Sequence, residues 1–174
     1  MIDFLSIEYL KNGTTLQQEA FFVLQQFQVM EILSDFSPVL AGTIPINIAI
    51  ETSDLDILCC CNDDEIFIDV IRVHFAKAKK FSLEKRMVNG ISTVIAKFFL
   101  GGFEIEIFGQ NVPVTQQNGF RHMMIEAKIL EERGENFRQE IIRLKKSGLK
   151  TEPAFAKLLK LKGDPYQALL DFFP

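Results

Sequence analysis

The chain contains no tryptophan, two histidines and three cysteines among its 174 residues. The cysteines are consecutive, at Cys59, Cys60 and Cys61. Neighbouring residues of a strand point to opposite faces, so this run lacks the C-x-x-C spacing typical of metal sites and redox motifs. We therefore expect three small apolar residues within a strand rather than a zinc site or a disulfide.

Long apolar runs and a strong net charge are also lacking. No run reaches the roughly 18 residues of a membrane span, and the N-terminus lacks the basic and apolar regions of a signal peptide. We therefore expect a cytoplasmic protein without membrane contact. The net charge of −4 gives no general attraction to nucleic acid, so extensive nucleic-acid binding is not expected. The 48% hydrophobic content and 17 phenylalanines predict one compact unit with a substantial core.

Two aspartates in an apolar stretch are the main chemical signal. A Gly42-Thr43 turn is followed, twelve residues after the glycine, by Asp54 and Asp56 in the run Ser53-Asp54-Leu55-Asp56-Ile57. Residues i and i+2 of a strand lie on the same face, so the two carboxylates face away from the core side by side. Repulsion between them favours a bound divalent cation, and Mg²⁺ is typically held by one or two carboxylates plus substrate phosphates.

Two dipeptides, Asn89-Gly90 and Gly101-Gly102, predict two-residue hairpin turns that divide residues 81–109 into three antiparallel strands. Two-residue loops fix the register, so Lys97 opposes Glu106 and Phe99 opposes Glu104. One face is predicted to be polar and available for a site: Ser82, Glu84, Arg86, Thr93, Lys97, Glu104 and Glu106. The other face is predicted to be core: Val94, Ala96, Phe98, Phe103, Ile105 and Ile107.

Helices are predicted on both sides of this strand region. A capping box at Thr15-Leu16-Gln17-Gln18 begins a helix to about Leu33, and Asn62 caps another that ends near Lys80. After Gly109 the pattern becomes helical, with breaks near Gly134 and Gly148. We expect Lys145, Lys146 and Lys150 to form a solvated basic edge. The expected organisation is a core of residues 1–112 and a helical part of residues 113–174, packed as one unit.

These motifs together resemble the polymerase-beta-like nucleotidyltransferase superfamily. Its pattern is Gly-Ser, a twelve-residue step to Asp-x-Asp, and a third carboxylate on a strand after a helix and a hairpin. Gly42-Thr43 matches the first element and Asp54 with Asp56 the second. Glu106 or Glu104 matches the third. The resemblance covers about residues 36–109 and implies an α+β fold with a mixed, mainly antiparallel sheet, flanking helices and a C-terminal helical part.

The resemblance also implies a mechanism. The carboxylates of Asp54, Asp56 and Glu106, or Glu104 in its place, would hold two Mg²⁺ ions that stabilise transfer of a nucleotidyl group from a nucleoside triphosphate to a hydroxyl. Gly42, Thr43 and Ser53 would contact the nucleotide phosphates. The acceptor would be a small molecule or a protein side chain, because the chain has no broad basic groove.

Two departures from the superfamily pattern leave alternatives open. Basic residues common after Gly-Ser are replaced by Ile44-Pro45-Ile46-Asn47. Lys97 either binds a phosphate or neutralises Glu106. The chain is thus a transferase, a nucleotide-binding module that has lost transfer, or an interaction protein such as one half of a toxin–antitoxin pair.

The C-terminal half adds a second resemblance. Segments such as Phe120-Arg121-His122-Met123 and Gly163-Asp164-Pro165-Tyr166 are similar to a bacterial family of nucleotidyltransferase-fold proteins with no assigned substrate. Arg121, His122 and Glu126 lie on the polar side of one predicted helix. They either reach across the cleft to the nucleotide, Arg121 above all, or hydrogen-bond the helix to the sheet.

Overall fold

The computed structural model describes residues 2–173, and Met1 and Pro174 lie outside the described part. Its strands are β1 (Val39–Ala41), β2 (Leu55–Cys60), β3 (Lys79–Val88), β4 (Ile91–Leu100) and β5 (Phe103–Gln110). They form one sheet in the order β1-β2-β5-β4-β3. Strands β2 and β5 are parallel and the other neighbours are antiparallel. The predicted mixed, mainly antiparallel sheet is confirmed.

Both predicted hairpins are present. Residues 89–90 and 101–102 connect β3 to β4 and β4 to β5, and all four turn residues have positive φ. Such φ values match the twist of the flanking strands in two-residue turns. The predicted register is confirmed for the pairs from Ser82 onward, including Lys97 opposite Glu106, and the pairing of β3 with β4 shifts between Lys79 and Ser82. Most of the predicted core face is completely buried: Val94, Ala96, Phe98, Ile105 and Ile107.

Six α-helices accompany the sheet within residues 2–173. They are α1 (Thr15–Gln26), α2 (Val29–Ile32), α3 (Asp64–Phe75), α4 (Asn118–Lys146), α5 (Thr151–Leu159) and α6 (Pro165–Leu170). Helix α4 is kinked at Gly134, where φ is 75°. This glycine is the predicted break between two helical segments. None of these helices combines the length and apolar character that crossing a membrane requires.

The predicted helix boundaries need two corrections. Helix α1 is capped by Thr14, whose side chain accepts from the Gln17 backbone N–H, and the helical stretch is interrupted at Gln28, where φ is 51°. Helix α3 is capped by Asp63 instead of Asn62, because the Asp63 carboxylate accepts two N–H groups of the first turn. This helix ends at Phe75 instead of near Lys80, and Lys79 and Lys80 begin β3.

Two hydrophobic cores lie on opposite faces of the sheet. Alternate residues of β2 and β5, including Ile57 and Ile107, pack with α1–α3 in the first core. Leu58 of β2 packs with α4 and α5 in the second core, and Phe108 of β5 packs against it. Because side chains alternate along a strand, Asp56 and Glu106 share the face of Leu58 and Phe108. The C-terminal helices therefore cover the face that carries the predicted site.

Candidate active site

Three carboxylates meet where β2 and β5 run in parallel. Asp56 and Glu106 are direct partners in the register, and Asp54 lies just before β2. One oxygen from each of Asp54, Asp56 and Glu106 lies within 4.8 Å of the other two. We call these three residues the carboxylate cluster. Glu104 is not part of it, so the structure brings Glu106 to the aspartate pair.

The cluster carries unbalanced negative charge. Burial, followed by repulsion from Asp54 and Glu106, raises the pKa of Asp56 to about 8, and Lys97 opposes this rise. Three hard oxygen donors at this spacing are the donor set that Mg²⁺ prefers. The cluster therefore fits a divalent cation, which would offset the cost of holding these carboxylates ionised.

Lys97 is the charged neighbour of the cluster. Its ammonium contacts the Oε2 atom of Glu106, and this contact raises the pKa of Lys97. The predicted juxtaposition of Lys97 and Glu106 is confirmed. Lys97 lies outside the residues that line the cavity described below, and a contact between it and a phosphate stays a prediction.

Gly42 has a steric role that the sequence did not reveal. Its φ is +80°, and a Cβ atom built on it would lie 2.2 Å from Oδ2 of Asp56. A side chain at this position would therefore displace the Asp56 carboxylate. The turn and the aspartate, fourteen residues apart, pack as one unit because β1 pairs with β2 in antiparallel register.

Thr43 and Ser53 form the two ends of the loop that leads to the aspartates. Their hydroxyl oxygens are 3.0 Å apart, and the backbone N–H of Ile50 donates to the Ser53 oxygen at 3.0 Å. Thr43 lines the cavity and Ser53 does not. Ser53 thus stabilises the loop through these two hydrogen bonds, and its contact with the nucleotide stays a prediction.

Long polar side chains from distant helices hold the same loop. Gln17 of α1 donates to the carbonyl oxygen of Ile44 at 2.9 Å, and Lys145 of α4 donates to that of Ile48 at 2.8 Å. Arg138 donates to two further carbonyl oxygens of the loop. These bonds satisfy backbone groups that regular secondary structure leaves open. The carbonyl groups of residues 44–47, where the superfamily pattern has basic residues, are therefore hydrogen-bonded by Gln17 and Arg138.

Lys145 corrects the prediction of a solvated basic edge. It is 6% exposed, and burial lowers its pKa to about 8. Lys146, by contrast, is exposed and pairs with Glu51 at 3.0 Å. The sequence did contain a signal for this burial. Lys145 follows Ile141 by four residues and Leu144 by one, and both are buried, so this spacing places Lys145 on the apolar face of α4.

Asp56 and Glu106 of the carboxylate cluster line a cavity of about 860 Å³, and Asp54 is not among its lining residues. One wall carries Gly42, Thr43, Asp56 and Glu106 from the sheet side. The opposite wall is formed by the C-terminal helices. Its polar side chains are Asn118, His122, Glu126, Thr151, Glu152, Asp164, Tyr166 and Gln167. Arg121 is exposed, bonds only Asn118 within its helix at 3.4 Å and does not line the cavity. A contact between Arg121 and the nucleotide stays a prediction.

Hydrogen bonds organise the helical wall around His122. Its Nε2 lies 3.0 Å from the carbonyl oxygen of Tyr166, and since a carbonyl only accepts, Nε2 carries the proton. Its Nδ1 lies 3.7 Å from Oε1 of Glu152. Glu126, one turn further along α4, is buried, and its Oε1 atom has no hydrogen-bond partner among residues 2–173. Burial and the nearby Glu152 raise the pKa of Glu126 well above its usual range.

Comparison with solved structures defines the class of fold. The chain superposes on Cid1 poly(U) polymerase bound to MgGTP with a TM-score of 0.56 and 11% identity, over 80% of this chain and 46% of that one. For the H336N mutant of Cid1 bound to MgATP the TM-score is 0.57, with 11% identity over 94% and 53%. For the GLD-2/RNP-8 complex it is 0.53, with 12% identity over 94% and 61%.

The protein therefore has a nucleotidyltransferase-like fold, and it spans less than two thirds of the length of each of these structures. Its sequence places it more narrowly. A family model described as a domain of unknown function, DUF4269, matches residues 22–172, and the chain belongs to that family. A search of curated protein sequences found no match.

Proposed function

We propose that this protein is a Mg²⁺-dependent nucleotidyltransferase that moves a nucleotidyl group from a nucleoside triphosphate to a hydroxyl of a small molecule or protein. The observation that carries the proposal is the carboxylate cluster. Its members Asp56 and Glu106 lie on paired strands in the wall of an 860 Å³ cavity, and Asp54 lies just before β2. A cavity of this size lies toward the upper end of the range of roughly 300–1,000 Å³ for small-molecule sites.

The residues have distinct proposed roles. Asp54, Asp56 and Glu106 are proposed to hold the metal. The position of Glu106 inside the carboxylate cluster, to which Glu104 does not belong, supports Glu106 as the third ligand. Bound Mg²⁺ supplies charge stabilisation at the phosphates and lowers the pKa of the acceptor hydroxyl. The backbone of the Gly42 turn and the hydroxyl of Thr43 are proposed to bind phosphate oxygens. Glu106, whose negative charge Lys97 partly balances, is proposed to accept the proton.

In the proposed step, the acceptor hydroxyl oxygen forms a bond to the α-phosphorus of the nucleotide. The bond from that phosphorus to the oxygen bridging it to the β-phosphate breaks, and pyrophosphate leaves with the electron pair. The hydroxyl proton passes to the Glu106 carboxylate and then to solvent. We propose that residues 1–112 supply the phosphate and metal groups and residues 113–174 close the cavity. The cytoplasmic location and the resemblance to a bacterial family stay predictions.

A nucleotide-binding experiment tests the proposal. Thermal unfolding is measured with ATP, GTP, CTP and UTP, with and without Mg²⁺, for the wild type and for Asp54→Asn/Asp56→Asn. A ligand at 100 times its dissociation constant adds about 2.7 kcal/mol of stability. We expect a Mg²⁺-dependent shift in the wild type that the double variant loses. Glu104→Gln is the matched control, because it removes a carboxylate from the same sheet outside the cluster. No shift with any nucleotide would refute the proposed function.

The contact between Lys97 and Glu106 favours a second candidate, a nucleotide-binding module without transfer. This ion pair already neutralises one carboxylate of the cluster. Within the described part of the chain, the cavity is also lined by no lysine or arginine. Mg²⁺-dependent nucleotide binding without release of pyrophosphate across a wide acceptor panel would support this candidate. Release of pyrophosphate with any acceptor would exclude it.

A further inference from the structure

The helical wall of the cavity is acidic, although it lies opposite the carboxylate cluster. Glu126 of α4, Glu152 of α5 and Asp164, the residue before α6, all line it. Metal bound at Asp54, Asp56 and Glu106 would offset part of the charge of those residues and of a nucleoside triphosphate. It would leave the charge of the helical wall uncompensated.

Not all of these three acids are available to a ligand. The Asp164 carboxylate caps α6 by accepting the backbone N–H of Gln167 at 2.9 Å. Glu152 has a loose contact of 3.7 Å with His122 and is about one fifth exposed. Glu126 is 3% exposed, yet its Oε1 atom accepts no hydrogen bond within the described chain. Glu126 and Glu152 are therefore the two acids that can still accept hydrogen bonds from a ligand.

The nearby cation Lys145 does not donate a hydrogen bond to Glu126. Lys145 is the cation whose charge acts on Glu126, but its ammonium donates to the carbonyl oxygen of Ile48. No ion pair within 4.0 Å joins Lys145 to Glu126 among residues 2–173. Buried polar atoms in native proteins nearly always have a partner, so the unpartnered Oε1 of Glu126, a residue that lines the cavity, is open to a donor that a ligand could supply.

We propose that Glu126 and Glu152 form the subsite for a small cationic acceptor, whose ammonium group they bind while its hydroxyl points to the carboxylate cluster. The inference rests on the proposed function and names its acceptor class. An ammonium group offers three donors and no acceptor, so it can satisfy Glu126 and Glu152 together. A hydrogen bond with one ionised partner is about twice as strong as a neutral one, so an ammonium donor gains from Glu126 even though burial raises the pKa of that carboxyl. RNA or an acidic peptide would instead be repelled by this wall.

The charge of the acceptor can be tested with matched probes. Glucosamine is compared with glucose, and a diamino alcohol with glycerol, because each pair differs in its amino groups and little else. Binding to the full-length protein is measured by calorimetry in the presence of Mg²⁺ and a non-hydrolysable nucleotide. We expect the amine of each pair to bind more tightly, by about tenfold, the equivalent of one charge-assisted hydrogen bond. Equal affinity within each pair would overturn the proposal.

Variants then test the residues. Glu126→Gln and Glu152→Gln are expected to lose the preference for the amine and to keep Mg²⁺-dependent nucleotide binding. Glu131→Gln is the matched control, since Glu131 is an exposed carboxylate on the same helix. If the Glu126→Gln variant is too unstable to measure, the amine preference of Glu152→Gln alone tests the proposed subsite. Loss of nucleotide binding in both variants, an unchanged amine preference, or transfer only to protein or RNA would each overturn this inference.

The two proposals fail in different ways. Absence of Mg²⁺-dependent nucleotide binding in the wild type would refute the proposed function itself. Intact nucleotide binding with no preference for amines would refute only the acceptor subsite.

Discussion

Replacing Asp56 with asparagine is expected to stabilise the metal-free protein while abolishing its metal site. The Asp56 carboxylate is surrounded by low-dielectric protein and by the negative charges of Asp54 and Glu106, which together raise its pKa to about 8. An amide of the same shape carries no charge, so the variant avoids the cost of ionisation. Functional sites often hold such unfavourable arrangements at the expense of stability.

The sign and size of this effect follow from the pKa of Asp56. Because the folded-state pKa lies above the ordinary value of 3.8, the protonated carboxyl favours folding below about pH 4. That stability is lost as pH rises to about 8. At about 1.4 kcal/mol per pKa unit, the loss has an upper limit of about 6 kcal/mol. Small movements of Asp54 and Glu106 would relieve part of the repulsion, so we expect a difference on the order of 2–4 kcal/mol at pH 9.

The assay is thermal unfolding of both proteins in EDTA at pH 5 and pH 9. At pH 9 the variant is expected to unfold roughly 5–15 °C higher than the wild type, and the difference should shrink at pH 5. Mg²⁺ should then raise the melting temperature of the wild type only, because a ligand stabilises the state that binds it. Glu104→Gln serves as the control. A variant less stable than the wild type at pH 9, or a difference independent of pH, would refute this reasoning.

Three further substitutions test the packing around the site. Gly42→Ala would place a Cβ atom against the Asp56 carboxylate, at a residue whose backbone is left-handed. We expect the free energy of unfolding in urea to fall by about 1–3 kcal/mol and Mg²⁺-dependent nucleotide binding to be lost. Unchanged binding would contradict the close contact. Lys145→Met should lower the free energy of unfolding by about 1–3 kcal/mol, because it leaves a buried carbonyl group unpaired. Its control Lys146→Met, on the exposed side of the helix, should change stability little. Equal effects would disprove the role of Lys145 as a buried hydrogen-bond donor. Gly109→Ala should lower the free energy of unfolding by about 1–3 kcal/mol, since its Cβ would lie 2.1 Å from a buried phenylalanine ring. Unchanged stability in a urea titration would contradict this expectation and show that the ring moves freely.

Local chemistry explains which parts of the fold the sequence predicted. The turns at residues 89–90 and 101–102 fix how the strands on either side are paired, and alternation then assigns each side chain to a face. The pairing of Lys97 with Glu106 followed from these two rules alone. The helix caps were misplaced by one residue because neighbouring threonines, or Asn62 beside Asp63, satisfy the same local preference.

The sequence by itself determined the three antiparallel strands, their register and the aspartate pair, because turn geometry and alternation act over a few residues. Only the tertiary structure decided that Glu106 joins the pair, since the parallel contact of β2 with β5 unites segments about fifty residues apart. It also decided the burial of Lys145 and the acidic helical wall around Glu126. Those features depend on how helices distant in the chain pack against the sheet, which no local pattern specifies.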